Sequence, residues 1–221
     1  MTEPAVTLTD YALAIECAVF VFALVRLSAS DRTLRFWFVV FFASIGAASV
    51  LGGTVHGFFP EASSPGQSIL WPATLLSILV TSLAAWTIGA ILQLDERGAA
   101  LVRRLATLQL VLFTLVVLFV TSEFYVAIIA YLPSTLFLLF VLLTTYRRRP
   151  DAALRWGVTG LALTLAAAAA QQLHIGIHPV YFNHNALYHV IQGAALWMIF
   201  LAAKAISSAG PSIRRSHDLT T

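Results

Sequence analysis

Charge is scarce in this chain. Only 10% of its 221 residues are Asp, Glu, Lys or Arg, against about 25% in a soluble domain. So little charge cannot solvate the surface of a water-soluble globule, and a composition 59% hydrophobic excludes a disordered chain. Lysine occurs once, as Lys204, so 12 of the 13 cationic residues are arginine. These fall in short clusters rather than along a stripe. The net charge of +3 therefore does not point to a nucleic-acid partner. A single cysteine, Cys17, excludes an intrachain disulfide and a cysteine-rich metal site. What remains is apolar sequence in long runs, with a mean hydropathy of +0.86.

Seven runs reach the length of about 20 apolar residues that crosses a bilayer core. They lie near 8–28, 34–58, 68–93, 98–121, 123–146, 151–173 and 183–206. The sequence thus predicts an all-α, polytopic membrane protein, with one seven-helix transmembrane domain over 1–206 and a cytoplasmic tail over 207–221. The fourth and fifth runs are divided at Thr121, Ser122 and Glu123, because one helix over both would be about 70 Å long. Pro72 and Pro133 fall inside spans, where membrane helices tolerate them as kinks. The segment Met1–Asp10 is acidic and has no cationic n-region, so it is not expected to be cleaved as a signal peptide.

The cations set an expected orientation. Arg26, Arg32 and Arg35 join spans one and two; Arg97, Arg103 and Arg104 join three and four. Arg147, Arg148, Arg149 and Arg155 join five and six, and Lys204, Arg214 and Arg215 end the chain. All lie at one end of seven alternating spans, which places the N-terminus outside and the C-terminus in the cytoplasm. Short loops and an Ala/Arg-rich composition point to a bacterial inner membrane.

The remaining polar residues collect at the opposite end. His56, His174, His178, His184 and His189 fall there, and only His217 lies in the tail. An ionisable group at a span centre costs about 2.5–3.5 kcal/mol on insertion scales, so such groups face a cavity or each other. Glu16, His56 and His189 lie at similar depth and predict one polar pocket, opening outward between spans one, two, six and seven. Asp10, Glu61 and Glu123 fall nearer the outer surface. In span seven Asn185, His189 and Gln192 follow i, i+4, i+7 and share a face. Asn185, Gln172, Gln192 and Tyr188 are the candidate substrate-pocket residues. Asn183 is the candidate N-cap of span seven. His174 and His178 lie beside Gly176 and Pro179 and read as loop residues. In span two Ser49, Gly52, Gly53 and His56 share a face, where the glycines leave room for close helix packing or for a ligand. Cys17 reads as a buried packing thiol.

Neutral imidazole is a common zinc ligand, and a catalytic zinc keeps three protein ligands and a water. His56, His184 and His189 are the candidate metal ligands. Glu16 is the candidate catalytic base for a zinc-bound water. Two elements carry a resemblance: Gly52-Gly53-Thr54-Val55-His56 and Asn185-Ala186-Leu187-Tyr188-His189. With the seven-helix plan, they resemble the superfamily of alkaline ceramidases, progestin and adipoQ receptors and hemolysin III-like proteins. That group has a histidine near the end of span two and an HxxxH pair at the start of span seven. The resemblance implies zinc held by His56 and His189, with His184 as a substitute ligand. It implies hydrolysis of a lipid amide or ester near the outer face. The chain departs from the pattern at Gly52, where the family has serine, at Asn185, where it has histidine, and in span three, which lacks the family's aspartate. The rival reading is a non-enzymatic receptor or transporter that binds a small polar or lipid ligand in the same pocket. A b-type haem would use His56 and His189 as axial ligands, but no second histidine pair lies across the bilayer. A retinal protein needs a mid-helix lysine, and Lys204 falls at the cytoplasmic end of its span, where it reads as a snorkelling anchor.

Overall fold

The computed structural model describes residues 1–179 and 181–209. Arg214, Arg215 and His217 lie outside the described residues. Seven helices follow in order: α1 Pro4–Arg26, α2 Arg32–Phe58, α3 Pro65–Gln93, α4 Glu96–Phe119, α5 Phe124–Arg148, α6 Ala152–Gln172 and α7 His184–Ala209. All seven are long and apolar enough to cross a membrane. Among the described residues the only strand-like feature is an isolated bridge between His178 and Phe182.

Each expected span coincides with one helix, and the fourth and fifth are separate. Four starts lie two to four residues earlier than expected, the largest shifts being α1, which begins at Pro4, and α3, which begins at Pro65. Proline suits the first helical turn because its missing N–H would have no partner there. Three aspartates near the arginine clusters are helix caps. Asp31, Asp95 and Asp151 accept from the backbone N–H of Leu34, Gly98 and Ala153 at the starts of α2, α4 and α6. Asn183 caps α7 as expected, its Oδ1 accepting from the N–H groups of Asn185 and Ala186. The end of α6 is a Schellman turn, with His174 N donating to Gln171 O at 3.0 Å and Ile175 N to Ala170 O at 2.9 Å. The turn needs a left-handed residue, and His174 supplies it at φ 56°.

Short connections make the helices alternate up and down. Helices α1, α2, α3, α5, α6 and α7 pack in a closed ring, and α4 lies outside it against α3 and α5. Only Ala106 and Val117 of α4 are buried. The outward faces are apolar, with Ile15, Ile69 and Phe140 among the exposed large side chains. That surface suits lipid rather than water.

The arginine end is densely packed. Phe20 stacks on Phe200 with centroids 4.3 Å apart and meets Phe42 edge-on at 5.2 Å. Cys17 is fully buried in the same core, as a packing thiol. Here α6 lies close on α7, since a Cβ on Gly160 would stand 2.7 Å from the carbonyl oxygen of Ala195. Lys204 is exposed, its Nζ 5.9 Å from the Phe200 ring centroid. Pro133 interrupts the hydrogen-bond ladder of α5, and the nearby carbonyl of Ala130 accepts from Ser82 Oγ and Gln109 Nε2.

Candidate functional site

At the histidine end the ring opens around a cavity of about 370 Å³, walled by six of the seven helices. Along α5 its wall runs from Phe124 to Thr135, which is about 16 Å of helix. The expected faces of α2 and α7 are both there. Ser49, Gly52 and His56 line it from α2, and Asn185, Tyr188, His189 and Gln192 from α7. Gln172 joins them from the exposed end of α6.

The two neighbouring glycines of α2 do different things. Gly52 is on the wall, where a Cβ would meet Thr74 Cγ2 at an ordinary 3.5 Å. Gly53 faces α1, where a Cβ would lie 2.8 Å from the Cβ of Asp10. One leaves cavity space and the other brings two helices together.

That close approach sets the polar core of the site. His189 Nε2 lies 3.3 Å from Asp10 Oδ1, and its Nδ1 lies 3.1 Å from Thr9 Oγ1. The Thr9 hydroxyl has carbonyl acceptors on its own helix, Ala5 O at 2.8 Å and Val6 O at 2.9 Å. Thr9 Oγ1 and His189 Nδ1 share a hydrogen bond whose direction follows the tautomer of the ring. The contact between Nε2 and Asp10 holds the ring's other nitrogen, and Asp10 is 5% exposed. His56 Nδ1 lies 3.4 Å from Glu3 Oε2, and its ring meets Trp71 edge-on. Gln171 Nε2 donates to Asn185 Oδ1 at 3.0 Å. Two buried wall atoms, Thr164 Oγ1 and Gln192 Oε1, have no partner.

Glu16 and His184 are not on the wall. Glu16 is half-buried, its Oε2 3.2 Å from the place a Cβ on Gly193 would take. The carboxylate beside His189 is instead Asp10, which the sequence reading placed nearer the surface. The missed signal was Pro4: a helix starting there carries Asp10 more than a turn inward. His184 opens α7 with its ring 4.6 Å from that of His174. His174 and His178 are exposed loop residues, as expected. Sequence reasoning also missed Thr74 and Thr81 of α3, Tyr131 and Thr135 of α5, and Thr164 of α6. Their i, i+4 and i, i+7 spacings were visible. A hydroxyl that bonds back to its own helix, as Thr74 does to Leu70 O, is an ordinary sight in a span.

The three expected zinc ligands, His56, His184 and His189, are not gathered at one point among the described residues. Among the described residues no group of three or more His, Cys, Asp or Glu could hold a metal ion. Both nitrogens of His189 already face protein partners, and His184 stands away from the cavity.

Fold and site together define a seven-helix protein with membrane-crossing helix lengths and a cavity in the size range of small-ligand sites. The chain belongs to a family of unknown function (DUF6962), whose model matches residues 5–208. No curated protein and no solved structure matches it.

Proposed function

We propose that this chain is an integral membrane protein that binds a small ligand in the cavity without covalent chemistry, as a receptor or carrier does. Its N-terminus and histidine end face outward, and its arginine end faces the cytoplasm, following the distribution of cations. The observation that carries the reading is that two residues of the cavity wall, Thr164 and Gln192, each keep a buried polar atom, Oγ1 and Oε1, without a hydrogen-bond partner. A buried polar atom without a partner costs about 1–3 kcal/mol. Two at one place in a small-ligand-sized cavity are recovered when a bound molecule supplies the missing groups. The hydrolase reading keeps His56 and His189 on the wall but lacks a third metal donor beside them.

The test is native mass spectrometry of the protein released from detergent, beside an Ala168→Phe variant that puts a ring into the cavity from α6. The wild type is expected to carry a defined bound mass that the variant has lost. Identical bound masses in both would assign them to the outer lipid surface and overturn the reading.

A further inference from the structure

Helices α6 and α7 run antiparallel and meet across the cavity at two comparable levels. Residues 171 and 185 mark one level; 164 and 192, each seven residues further along the interface, mark the other. The second level is thus about 10 Å deeper. At the first level the two side chains satisfy each other, Gln171 Nε2 donating to Asn185 Oδ1. At the second they do not. Thr164 is 3% and Gln192 5% exposed, both line the cavity, and neither Thr164 Oγ1 nor Gln192 Oε1 has a partner. The cavity threonines Thr74, Thr81 and Thr135 bond back to a carbonyl four residues earlier. Thr164 departs from that habit. A buried amide oxygen and a buried hydroxyl at one level match a group that donates to Gln192 and shares a hydrogen bond with Thr164.

The rest of the wall states the charge of that group. Among the described residues it contains no Lys, Arg, Asp or Glu. Its two histidines each have a carboxylate beside them, Glu3 just before α1 for His56 and Asp10 on α1 for His189. Protonation of either ring is therefore answered by the N-terminal segment rather than by a ligand. The other titratable wall groups are Tyr131 and Tyr188. An ion bound here would lose its hydration and find no counter-charge. Ile78, Ile128 and Leu165 supply an apolar surface instead.

We infer that the deeper level recognises an uncharged amphiphile. Its hydroxyl or N–H donates to Gln192 Oε1 and pairs with the Thr164 hydroxyl, and its hydrocarbon body lies on the apolar wall. This inference rests on the binding reading above and names the class of ligand.

The experiment is photolabelling of the full chain in lipid nanodiscs with two diazirine-bearing eight-carbon probes, one an alcohol and one a carboxylate. Labelled peptides are mapped by mass spectrometry, with unlabelled 1-octanol as competitor. The alcohol is expected to label cavity-wall peptides of α3, α5 and α6, competed by 1-octanol. The carboxylate is expected to label them about tenfold less. Gln192→Leu is expected to weaken the alcohol by about tenfold, the effect of one buried hydrogen bond removed. Thr164→Val, closely isosteric, reports on the same level should Gln192→Leu not fold. Equal cavity labelling by the carboxylate would overturn the inference and leave the binding reading standing. So would alcohol labelling unchanged in both variants, because water alone then satisfies the pair. Labelling confined to outward-facing residues with either probe would overturn the binding reading itself.

Discussion

At the arginine end, Phe20, Phe42 and Phe200 close the space between the helices. At the histidine end the same helices stand around about 370 Å³ of cavity. Between apolar helices in lipid, burial of hydrocarbon drives little; packing contacts and polar pairs hold the bundle together. The packed half keeps those contacts. The open half gives them up and relies on polar pairs: His189 with Asp10, His56 with Glu3, Gln171 with Asn185. The acids show the same division. At the arginine end Asp31, Asp95 and Asp151 cap helices, while at the histidine end Glu3 and Asp10 face imidazoles. Under the binding proposal, the half that forgoes packing is the one that holds the guest.

Several substitutions sharpen or break this contrast. Among the largest effects is that expected from Asp10→Ala, which strands His189 in a buried site. Leaving one member of a buried polar pair without its partner costs about 1–3 kcal/mol, more where the group is charged, and replacing both by apolar residues recovers much of it. Thermal unfolding in detergent should therefore show a large fall in Tm for Asp10→Ala and a smaller one for Asp10→Leu with His189→Leu. A double variant as unstable as the single would contradict the pairing.

Phe42→Ala is comparable, at about 3 kcal/mol, because it opens a void in the packed half. Leu165→Ala on the cavity wall should cost clearly less by the same assay, since it enlarges a space already present. Equal losses would remove the distinction between the halves. Elemental analysis of protein never exposed to chelator is expected to find zinc well below one per chain. A stoichiometric metal lost in His56→Ala with His189→Ala would restore the hydrolase reading.

The smallest effect concerns the turn after α6. His174 occupies a left-handed position at φ 56°, which costs a residue with a Cβ about 1–2 kcal/mol. His174→Gly should raise Tm slightly, about 1 kcal/mol in stability. A fall would mean that the ring contact with His184 outweighs the strain.

The helices were legible in the sequence because seven apolar runs, and a cluster of arginines at every second junction, leave one arrangement. The polar face of α7 was legible for the same reason: Asn185, His189 and Gln192 keep helical spacing. The partner of His189 was not, because the start of α1 was set by hydropathy rather than by Pro4, leaving Asp10 at the surface and Glu16 in its place. The contributions of α3 and α5 were hidden differently. Which faces of two helices turn toward the same space is a property of the ring, with α4 outside it, and threonine spacing alone does not reveal that ring.

The most direct test of an open half against a closed one uses the chain's own thiol as the control. Cys17 is fully buried in the packed core, whereas Ser49 lines the cavity. Thiol modification of Ser49→Cys by a small uncharged reagent, in nanodiscs, should give one rapidly modified cysteine, mapped to position 49, while Cys17 stays unmodified. An unreactive position 49, or modification of both at one rate, would contradict the account.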